Sequence, residues 1–303
     1  MLLKYDFDVD FEIVFLIFKL MDLSNEFRNI NDITYFFSRT TPILALILLF
    51  LVLKNATATE FKCPQYETFC KCYTDDLDGT NKTFCNGKGL TQFPTQLPHQ
   101  IVEIQLKNTS VSRIPSSLPN TLKSLTIESS NIDMSLPDDY VNIPASLTTL
   151  ELPSNKITKF NVSSLAHVTI LNTLKLNHNP ITIFITDVGN RMTQLQYIYL
   201  DGVKIKKLDT NTFNFPNLDT FYSNDGILEE IKVNFRVKVL YLRNNKLTQF
   251  VESLEDGTNE LDLSGNPLEK FDLSKSNNSV KKLLLSNTGL ACYDDKYKEF
   301  KVI

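Results

Sequence analysis

The sequence predicts a solenoid, a fold in which short repeats stack side by side around one continuous core. One pattern of apolar residues recurs nine times between Ile101 and Tyr293, and a cluster of four cysteines directly precedes it. A short repeat cannot bury its own apolar face, so neighbouring repeats must stack. The repeats therefore predict the body of the fold, and the cysteines predict its N-terminal end.

The repeat is clearest in VKVLYLRNNKLTQF, which runs from Val237 to Phe250. Counted from the first residue of each copy, apolar residues usually occupy positions 1, 4, 6, 11 and 14, and Asn often occupies position 9. The copies begin 19 to 25 residues apart, too regularly for chance spacing of leucine. Their first residues are Ile101, Leu122, Leu147, Leu171, Leu195, Leu218, Val237, Thr258 and Val280.

This pattern resembles the leucine-rich repeat family, whose consensus is L-x-x-L-x-L-x-x-N/C-x-L. The resemblance covers about Thr80 to Tyr293. It implies an α/β solenoid, a horseshoe with a parallel β-sheet on the concave face and a mostly irregular or 3₁₀ convex side. Positions 3 to 5 then form a short strand whose residues 4 and 6 face the core. The position-9 asparagines are predicted to satisfy buried backbone groups; they are Asn155, Asn179, Asn245 and Asn266.

The four clustered cysteines are Cys63, Cys70, Cys72 and Cys85. Their spacing lacks the paired CxxC elements of zinc sites, so a disulfide framework is predicted. Spacing alone leaves three pairings open. The run CP…CKC…C followed by GLTQFP resembles the N-terminal cysteine cap of extracellular leucine-rich repeat proteins. That resemblance implies the pairs Cys63–Cys72 and Cys70–Cys85.

An apolar leader is predicted before the cap. The run Pro42–Leu53 holds twelve residues without a charge, and Ala56–Ala58 follows it with small residues. A bilayer span needs roughly 20 apolar residues, so the run is typical of a signal peptide. A secreted chain without residues 1–58 is predicted, and a retained signal anchor that leaves the rest extracellular is the alternative. The predicted domains are the leader (1–58), the cap (59–98), about nine repeats (99–293) and a tail (294–303).

The C-terminal end leaves three interpretations open. The sequence after Tyr293 has no cysteine-rich cap, and Cys292 has no obvious partner. Either the tail packs across the last repeat, or the chain is a fragment of a longer protein, or Cys292 forms an intermolecular disulfide that makes a dimer.

Composition and motifs argue against catalysis. The net charge is −4 without a long basic run, so no nucleic-acid partner is predicted. The chain has three His, no two of them in one repeat, and no catalytic set, metal site or cofactor is predicted. The loop with Asp75, Asp76 and Asp78 loosely resembles a calcium loop but lacks the glutamate at the twelfth position, so it is interpreted as a solvated loop.

Five N-glycosylation motifs occur in the sequence. Asn55 leaves with the predicted signal peptide. Asn108 is at position 8 of its repeat, where a glycan would obstruct the N-terminal part of the concave face. The predicted glycosylation sites are Asn81, Asn108, Asn161 and Asn277.

The predicted binding site rests on position 5, which is expected to point outward from the middle of each concave strand. Three consecutive repeats place Tyr199, Tyr222 and Tyr241 there, and Tyr197 precedes them at position 3. Tyr and Arg are enriched at interface hot spots. The same region lacks the position-9 asparagine, a departure that indicates function. The predicted ligand-binding residues are Tyr197, Tyr199, Tyr222, Tyr241, Lys175 and Arg243, flanked by Asp201 and Asp225.

These observations predict a secreted or cell-surface recognition module that binds a protein or peptide on its concave face. Two alternatives stay open: a structural glycoprotein of an extracellular matrix or wall, and a truncated ectodomain of a leucine-rich repeat receptor. A tyrosine ladder could also serve only the sheet, through cross-strand pairing.

Overall fold

The computed structural model describes residues 59–61, 63, 66–97, 100–116, 118–186, 192–209, 215–233, 236–251, 254, 257–273, 280–290 and 301–302. The predictions for the leader, Asn277 and Cys292 lie outside these residues. Residues Glu60–Ile303 group into one compact unit. Within the described part of the chain, no helix combines the length and apolar character needed to cross a bilayer.

One long sheet organises this unit. It contains thirteen strands in the described residues, and their order follows the chain. The strands are β1 (Thr59–Phe61), β2 (Cys70–Thr74), β3 (Asn81–Asn86), β4 (Ile101–Lys107), β5 (Ser124–Glu128), β6 (Thr149–Glu151), β8 (Thr173–Lys175), β10 (Tyr197–Tyr199), β12 (Thr220–Tyr222), β14 (Val239–Tyr241), β16 (Glu260–Asp262), β18 (Lys282–Leu284) and β19 (Lys301–Val302). Strands β2 and β3 are antiparallel, and the strands from β3 to β19 pair in parallel.

The strands fall where the repeat pattern predicts them. From β6 to β18 each sheet strand covers positions 3 to 5 of its repeat, with a buried leucine, isoleucine or phenylalanine at position 4. One detail of the prediction was wrong: position 5 is the last residue of these three-residue strands, not the middle one. Side chains alternate along a strand, so positions 3 and 5 still share the outward face.

The core is built from the remaining repeat positions. In the repeat that begins at Val237, Leu240, Leu242 and Leu247 are fully buried and Phe250 is 1% exposed. Burying one such side chain stabilises the fold by about 1.5–3 kcal/mol. The alternating apolar residues at positions 4 and 6 belong to the strand and the turn that follows it. The more widely spaced apolar residues at positions 11 and 14 lie where the chain folds back over the same core.

The asparagines at position 9 hold adjacent coils together. The side chain of Asn245 accepts from the backbone N–H of Leu228 at 3.0 Å, and its Nδ2 donates to the carbonyls of Ser223 and Leu242 at 2.6 and 3.0 Å. Asn179 accepts from the N–H of Asn155 in the same way, at 3.2 Å. Each such side chain satisfies buried backbone groups that the sheet does not reach, as predicted.

The residue just before each asparagine has a left-handed backbone, a feature the sequence pattern did not indicate. Position 8 has a positive φ in all nine repeats, from 51° at Ser129 to 69° at Gly265. Most of the residues found there are Asn, Asp, His or Gly, the types that adopt this region most readily. They are Asn108, Ser129, Ser154, His178, Gly202, Asp225, Asn244, Gly265 and Asn287.

The convex side carries more regular structure than expected. Positions 13 to 15 of six repeats form short strands, and these strands pair in parallel to give three two-stranded sheets in the described residues. Phenylalanines at position 14 stack between partners, with ring centroids 6.3 Å apart for Phe160 and Phe184. Two longer repeats add the helix α1 (Pro137–Val141) and a 3₁₀ turn (Val162–Leu165). The short strands are β7 (Lys159–Asn161), β9 (Ile183–Ile185), β11 (Lys207–Asp209), β13 (Glu230–Lys232), β15 (Gln249–Val251) and β17 (Lys270–Asp272).

The N-terminal end is covered by a disulfide-bonded hairpin. Cys63 is bonded to Cys72 and Cys70 to Cys85, the pairing that the family resemblance implies. In the register between β3 and β4, Cys85 lies beside Leu106, so it takes position 6 of a half-repeat. The half-repeat thus extends the core, and the disulfides fix the hairpin over its end.

The acidic loop of the cap surrounds a lysine. Nζ of Lys82 lies 2.7 Å from Asp75, 3.3 Å from Asp78 and 3.4 Å from Glu103. The hydrogen bond to Asp75, more than any other contact, raises the pKa of Lys82. The two aspartates of the loop are therefore paired with a lysine of the cap itself, which agrees with the interpretation that the loop is not a calcium site.

Candidate binding surface on the sheet face

Three tyrosines form a continuous row across the outward face of the sheet. Tyr199, Tyr222 and Tyr241, which together we call the tyrosine strip, are register partners in β10, β12 and β14. The rings of Tyr199 and Tyr222 stack with centroids 4.8 Å apart at 9°, and Tyr222 meets Tyr241 edge-on at 4.9 Å and 67°. Parallel strands lie about 4.8 Å apart, so identical positions in adjacent repeats bring the rings into contact.

Lys175 closes the N-terminal end of the strip. It is the register partner of Tyr199, and its Nζ lies 5.4 Å from the centre of that ring, a cation–π contact. The same ammonium group pairs with Glu151 on the next strand at 2.6 Å. The lysine side chain is therefore held in place by Tyr199 and Glu151 on the same face of the sheet.

Glu260 and Lys282 close the other end. The hydroxyl of Tyr241 donates to Oε1 of Glu260 at 2.6 Å, and Lys282 forms an ion pair with the same oxygen. Burial opposes ionisation of Glu260, but the hydrogen bonds from Lys282 and Tyr241 outweigh it and lower its pKa. Neither residue was predicted from the sequence, although opposite charges at position 3 of consecutive repeats were the available signal.

The ring of Tyr199 has a neighbour on each adjacent strand. Tyr222 stacks against it, and Nζ of Lys175 lies over it from the other strand. Each strip tyrosine is half-buried. Burial is the main cause that raises the pKa of all three phenols, so they stay protonated at neutral pH.

One edge of the strip carries a partly buried carboxylate. Asp201 accepts hydrogen bonds from the backbone N–H of Asn224 at 2.8 Å and from Nδ2 of Asn177 at 3.2 Å. Burial, with the negative charge of Asp225 in addition, raises the pKa of Asp201 despite the backbone N–H bond.

The structure unites four of the six predicted residues. The strip tyrosines and Lys175 form one contact chain. Tyr197 is half-buried on the same face but has Thr173 and Thr220 as register partners. Arg243 is exposed just beyond the end of β14.

Two repeats beneath the strip lack the asparagine at position 9, and the structure shows a packing contact at one of them. Position 9 is Val203 and then Gly226, and a Cβ at Gly226 would stand 2.8 Å from Oδ1 of Asn245. The close approach of Asn245 is therefore a packing feature that accompanies the glycine, and nothing in the structure explains Val203. Neither residue touches the exposed face in the contacts described, so this departure from the repeat pattern does not support a binding site.

The described glycosylation motifs differ in exposure. Asn108 is exposed in the turn after β4. Asn81 is half-buried and accepts from the hydroxyl of Thr74 at 2.8 Å, and Asn161 accepts from the N–H of Ser163 at 3.1 Å. Asn108 is the motif best placed to carry a glycan near the sheet face, at a distance of several strands from the strip.

Comparison with known sequences agrees with the repeat architecture. A profile of the leucine rich repeat family matches residues 145–205. The chain is 27% identical over 161 residues to human leucine-rich repeats and immunoglobulin-like domains protein 3, a match over 53% of this chain and 13% of that protein. It is 24% identical over 201 residues to keratocan of Danio rerio, a match over 64% of this chain and 57% of keratocan.

Solved structures show the same fold. A structure of TLR13 in complex with ssRNA13 superposes with a TM-score of 0.59 at 21% identity, covering 72% of this chain and 33% of that one. YopM, a leucine-rich effector protein from Yersinia pestis, superposes with a TM-score of 0.51 at 17% identity, covering 72% and 59%. At such identities the likeness extends to the fold alone.

Proposed function

We propose that this chain, a leucine-rich repeat protein, is a secreted or cell-surface recognition module that binds a protein or peptide through the tyrosine strip. The observation that carries the proposal is the row of three mutually packed tyrosines on the outward face of the sheet. The role is binding rather than catalysis. The module acts either alone or as the ectodomain part of a longer protein.

The strip has the physical properties of a protein-binding hot spot. Its rings hold each other in place, and Lys175 and Glu260 fix the two ends. A side chain that is already immobilised loses little entropy on binding, and tyrosine offers both apolar area and a hydroxyl. Tyrosines of this kind carry a large share of the binding energy in measured interfaces.

A protein or peptide fits this surface better than a nucleic acid does. TLR13 shares the fold and is seen with ssRNA13. Nucleic-acid binding needs positive charge along the backbone and free aromatic faces on which bases can stack. In this chain the net charge is −4, Asp201 and Asp225 lie along the strip, and the ring of Tyr199 already packs against Tyr222 and Lys175.

The disulfides support an extracellular location. Two disulfide bonds in a small cap are typical of proteins that fold in an oxidising compartment. The proposal therefore includes an N-terminal leader within residues 1–58 that directs export, with a retained membrane anchor as the alternative. N-terminal sequencing of the exported protein distinguishes a removed leader from a retained one.

The proposal can be tested without a known ligand. A random peptide library displayed on phage is selected against the exported protein, and the affinity of the enriched peptides is measured by biolayer interferometry. Tyr199→Ala, Tyr222→Ala and Tyr241→Ala should each weaken binding by about 1–3 kcal/mol. The matched control is Thr126→Ala, at position 5 of β5 on the same face, which should leave the affinity unchanged.

Thermal unfolding of each variant is measured in parallel. The proposal is supported if affinity falls while the variants keep a cooperative unfolding transition. If the enriched peptides bind all three tyrosine variants as tightly as the original chain, the strip is only a stabilising ladder and the proposal is wrong.

A further inference from the structure

We infer that the ligand segment bound at the tyrosine strip presents arginine side chains, which donate hydrogen bonds to the carboxylates of Asp201, Asp225 and Asp262. This inference rests on the proposed function and specifies the chemistry of its ligand. Three features of the sheet face support it: carboxylates without an ion-pair partner among the described residues, hydrogen-bond acceptors along the strip, and an aspartate whose partial burial no ion pair offsets.

The carboxylates beside the strip have no ion-pair partner in the described part of the chain, unlike several other acidic side chains of the solenoid. In most repeats an acidic side chain pairs with a lysine of a neighbouring coil, as Glu128 does with Lys107 and Glu229 with Lys206. By contrast, none of Asp201, Asp225 and Asp262 has a cationic side chain within 4 Å among the described residues. The surface around the strip thus carries three carboxylates whose charge no ion pair within the described residues neutralises.

These three carboxylates border the strip on two sides. Asp262 is the register partner of Tyr241 and continues the row at position 5. Asp201 follows Tyr199 at position 7 and is close enough to act electrostatically on the phenols of Tyr199 and Tyr222. Asp225 is exposed and close enough to Asp201 to act on it in the same way.

Neutral groups already hold the carboxylates in place. Asp262 accepts from the backbone N–H of Ser264 at 2.9 Å, and Asp225 accepts from Nδ2 of Asn244 at 2.7 Å. A carboxylate offers about four acceptor sites, so each has capacity left for a ligand. The acceptors are therefore oriented in advance.

The strip itself is also rich in acceptors. The hydroxyl hydrogen of Tyr241 is used by Glu260, which leaves its oxygen lone pairs to accept. A ligand that supplies donors complements this surface, whereas an acidic one is repelled.

Arginine is the side chain that matches these features best. Its guanidinium group carries five N–H donors and no acceptor, keeps its charge at every relevant pH, and binds carboxylates in a planar, two-pronged geometry. It is also more weakly hydrated than the ammonium group of lysine, so less hydration is lost when it packs against ring edges.

The environment of Asp201 supports the inference independently. Asp201 is only half-exposed, and its burial is not compensated by an ion pair in the described structure. A carboxylate in such a place disfavours folding unless a partner arrives, and local departures of this kind are where function is expected. A bound guanidinium group would supply the missing charge.

The test uses fluorescein-labelled nonapeptides in which serine alternates with arginine, lysine or glutamate, with binding followed by fluorescence anisotropy. We expect the arginine peptide to bind more tightly than the lysine peptide, and the glutamate peptide not to bind. Asp201→Asn and Asp262→Asn preserve shape and remove charge, and each should weaken the arginine peptide by about two- to fivefold, the range of a partly exposed ion pair.

The matched control is the double variant Glu229→Gln with Glu230→Gln, which removes two carboxylates outside the sheet face. Both are paired with lysines there, at 3.0 and 2.8 Å. This variant changes the net charge more than either aspartate variant does. If it weakens the arginine peptide as much as they do, the attraction is general electrostatics and the inference is overturned.

The peptides selected from phage separate this inference from the proposed function. If they bind through the tyrosines but contain no excess of arginine and ignore Asp201→Asn, the inference is wrong and the proposed function stands. If they depend on neither the tyrosines nor the aspartates, the proposed function is wrong and the inference falls with it. Arginine enrichment with loss of affinity in both sets of variants supports both.

Discussion

At the scale of single residues, hydrogen bonding explains a regular feature of this chain. Asn245 binds backbone groups on two coils, and its Oδ1 lies 2.8 Å from the place where a Cβ at Gly226 would stand. A sequence pattern shows the missing asparagine in one repeat but not the neighbour that fills the space. The exception at Gly226 therefore accompanies a packing contact, while Asp201 is a partly buried carboxylate without an ion pair among the described residues.

The environment of Asp201 predicts a pH-dependent effect of Asp201→Asn. Burial raises the pKa of Asp201, with Asp225 also raising it and His178 opposing, and with Tyr199 and Tyr222 close by. Because folding raises this pKa, the Asp201 carboxyl group destabilises the folded state only when it is ionised. This cost is absent below the unfolded pKa of about 4 and is reached in full as the pH rises through the folded pKa. The variant should therefore melt at a higher temperature than the original chain at pH 7, and the difference should shrink toward pH 4.

Calorimetry at both pH values measures this difference. Glu269→Gln, at an exposed position, is the control and should change the melting temperature little at either pH. A variant that is less stable than the original chain at pH 7 would show that the hydrogen bonds of the carboxylate outweigh the cost of its burial, and would contradict the prediction.

At the scale of the repeat, the turn after each sheet strand is as regular as the strand itself. All nine turns place position 8 in the left-handed region, and only two of these residues are glycine. The left-handed conformation costs a residue other than glycine roughly 1–2 kcal/mol, so each repeat contains a small strain that stacking maintains. Short polar side chains at this position reduce that strain.

Ser154 offers a test of strain in the turn. It has φ of +56° and its N–H donates to the carbonyl of Asn177 at 2.8 Å. Ser154→Val should lower the free energy of unfolding by about 1–2 kcal/mol, because a β-branched side chain is disfavoured there. Ser154→Gly should change it by less than about 1 kcal/mol, because relief of strain opposes the added entropy of the unfolded chain.

Urea denaturation measures both variants. Lys156→Val, two residues later at an exposed position with negative φ, is the control for the valine side chain and should be nearly neutral. Equal losses for Ser154→Val and Lys156→Val would refute a role for the left-handed backbone.

At the scale of the whole molecule, each coil contacts mainly its neighbours, so the ends decide how far the stack resists unfolding. The cap supplies the first neighbour: β3 pairs with β4, and the disulfide Cys70–Cys85 joins the two strands of the hairpin. The fold therefore depends on the cap more than the small number of cap residues implies.

Removal of that disulfide should weaken the protection of backbone amides against hydrogen exchange, most strongly near the cap and less with each further repeat. Cys70→Ala with Cys85→Ala should lower the stability of the cap by about 2–5 kcal/mol. Amide hydrogen exchange followed by mass spectrometry should then accelerate most in β3 and β4, less in β6, and least in β14 and β16. Uniform acceleration across all these strands would show that the solenoid unfolds as one unit and would contradict nearest-neighbour stacking.

Much of this fold could be predicted from the sequence because the repeat is a local signal. Leucines at positions 4 and 6 placed the strands, the asparagines at position 9 indicated their own structural role, and the cap motif implied the observed cysteine pairing. The row of tyrosines was also visible, because identical positions of adjacent repeats must become neighbours.

Only the tertiary structure decided what lies between coils. The ring geometry of the strip, the partners Glu260 and Lys282 and the paired strands of the convex side all depend on distances between residues of different repeats. The repeats vary from 19 to 25 residues, so the sequence alone does not show which side chains meet outside the strand register. Short-range periodicity determined the coils of this protein, and packing between coils of unequal length determined which charges and hydroxyl groups are paired on the sheet face and which are left exposed.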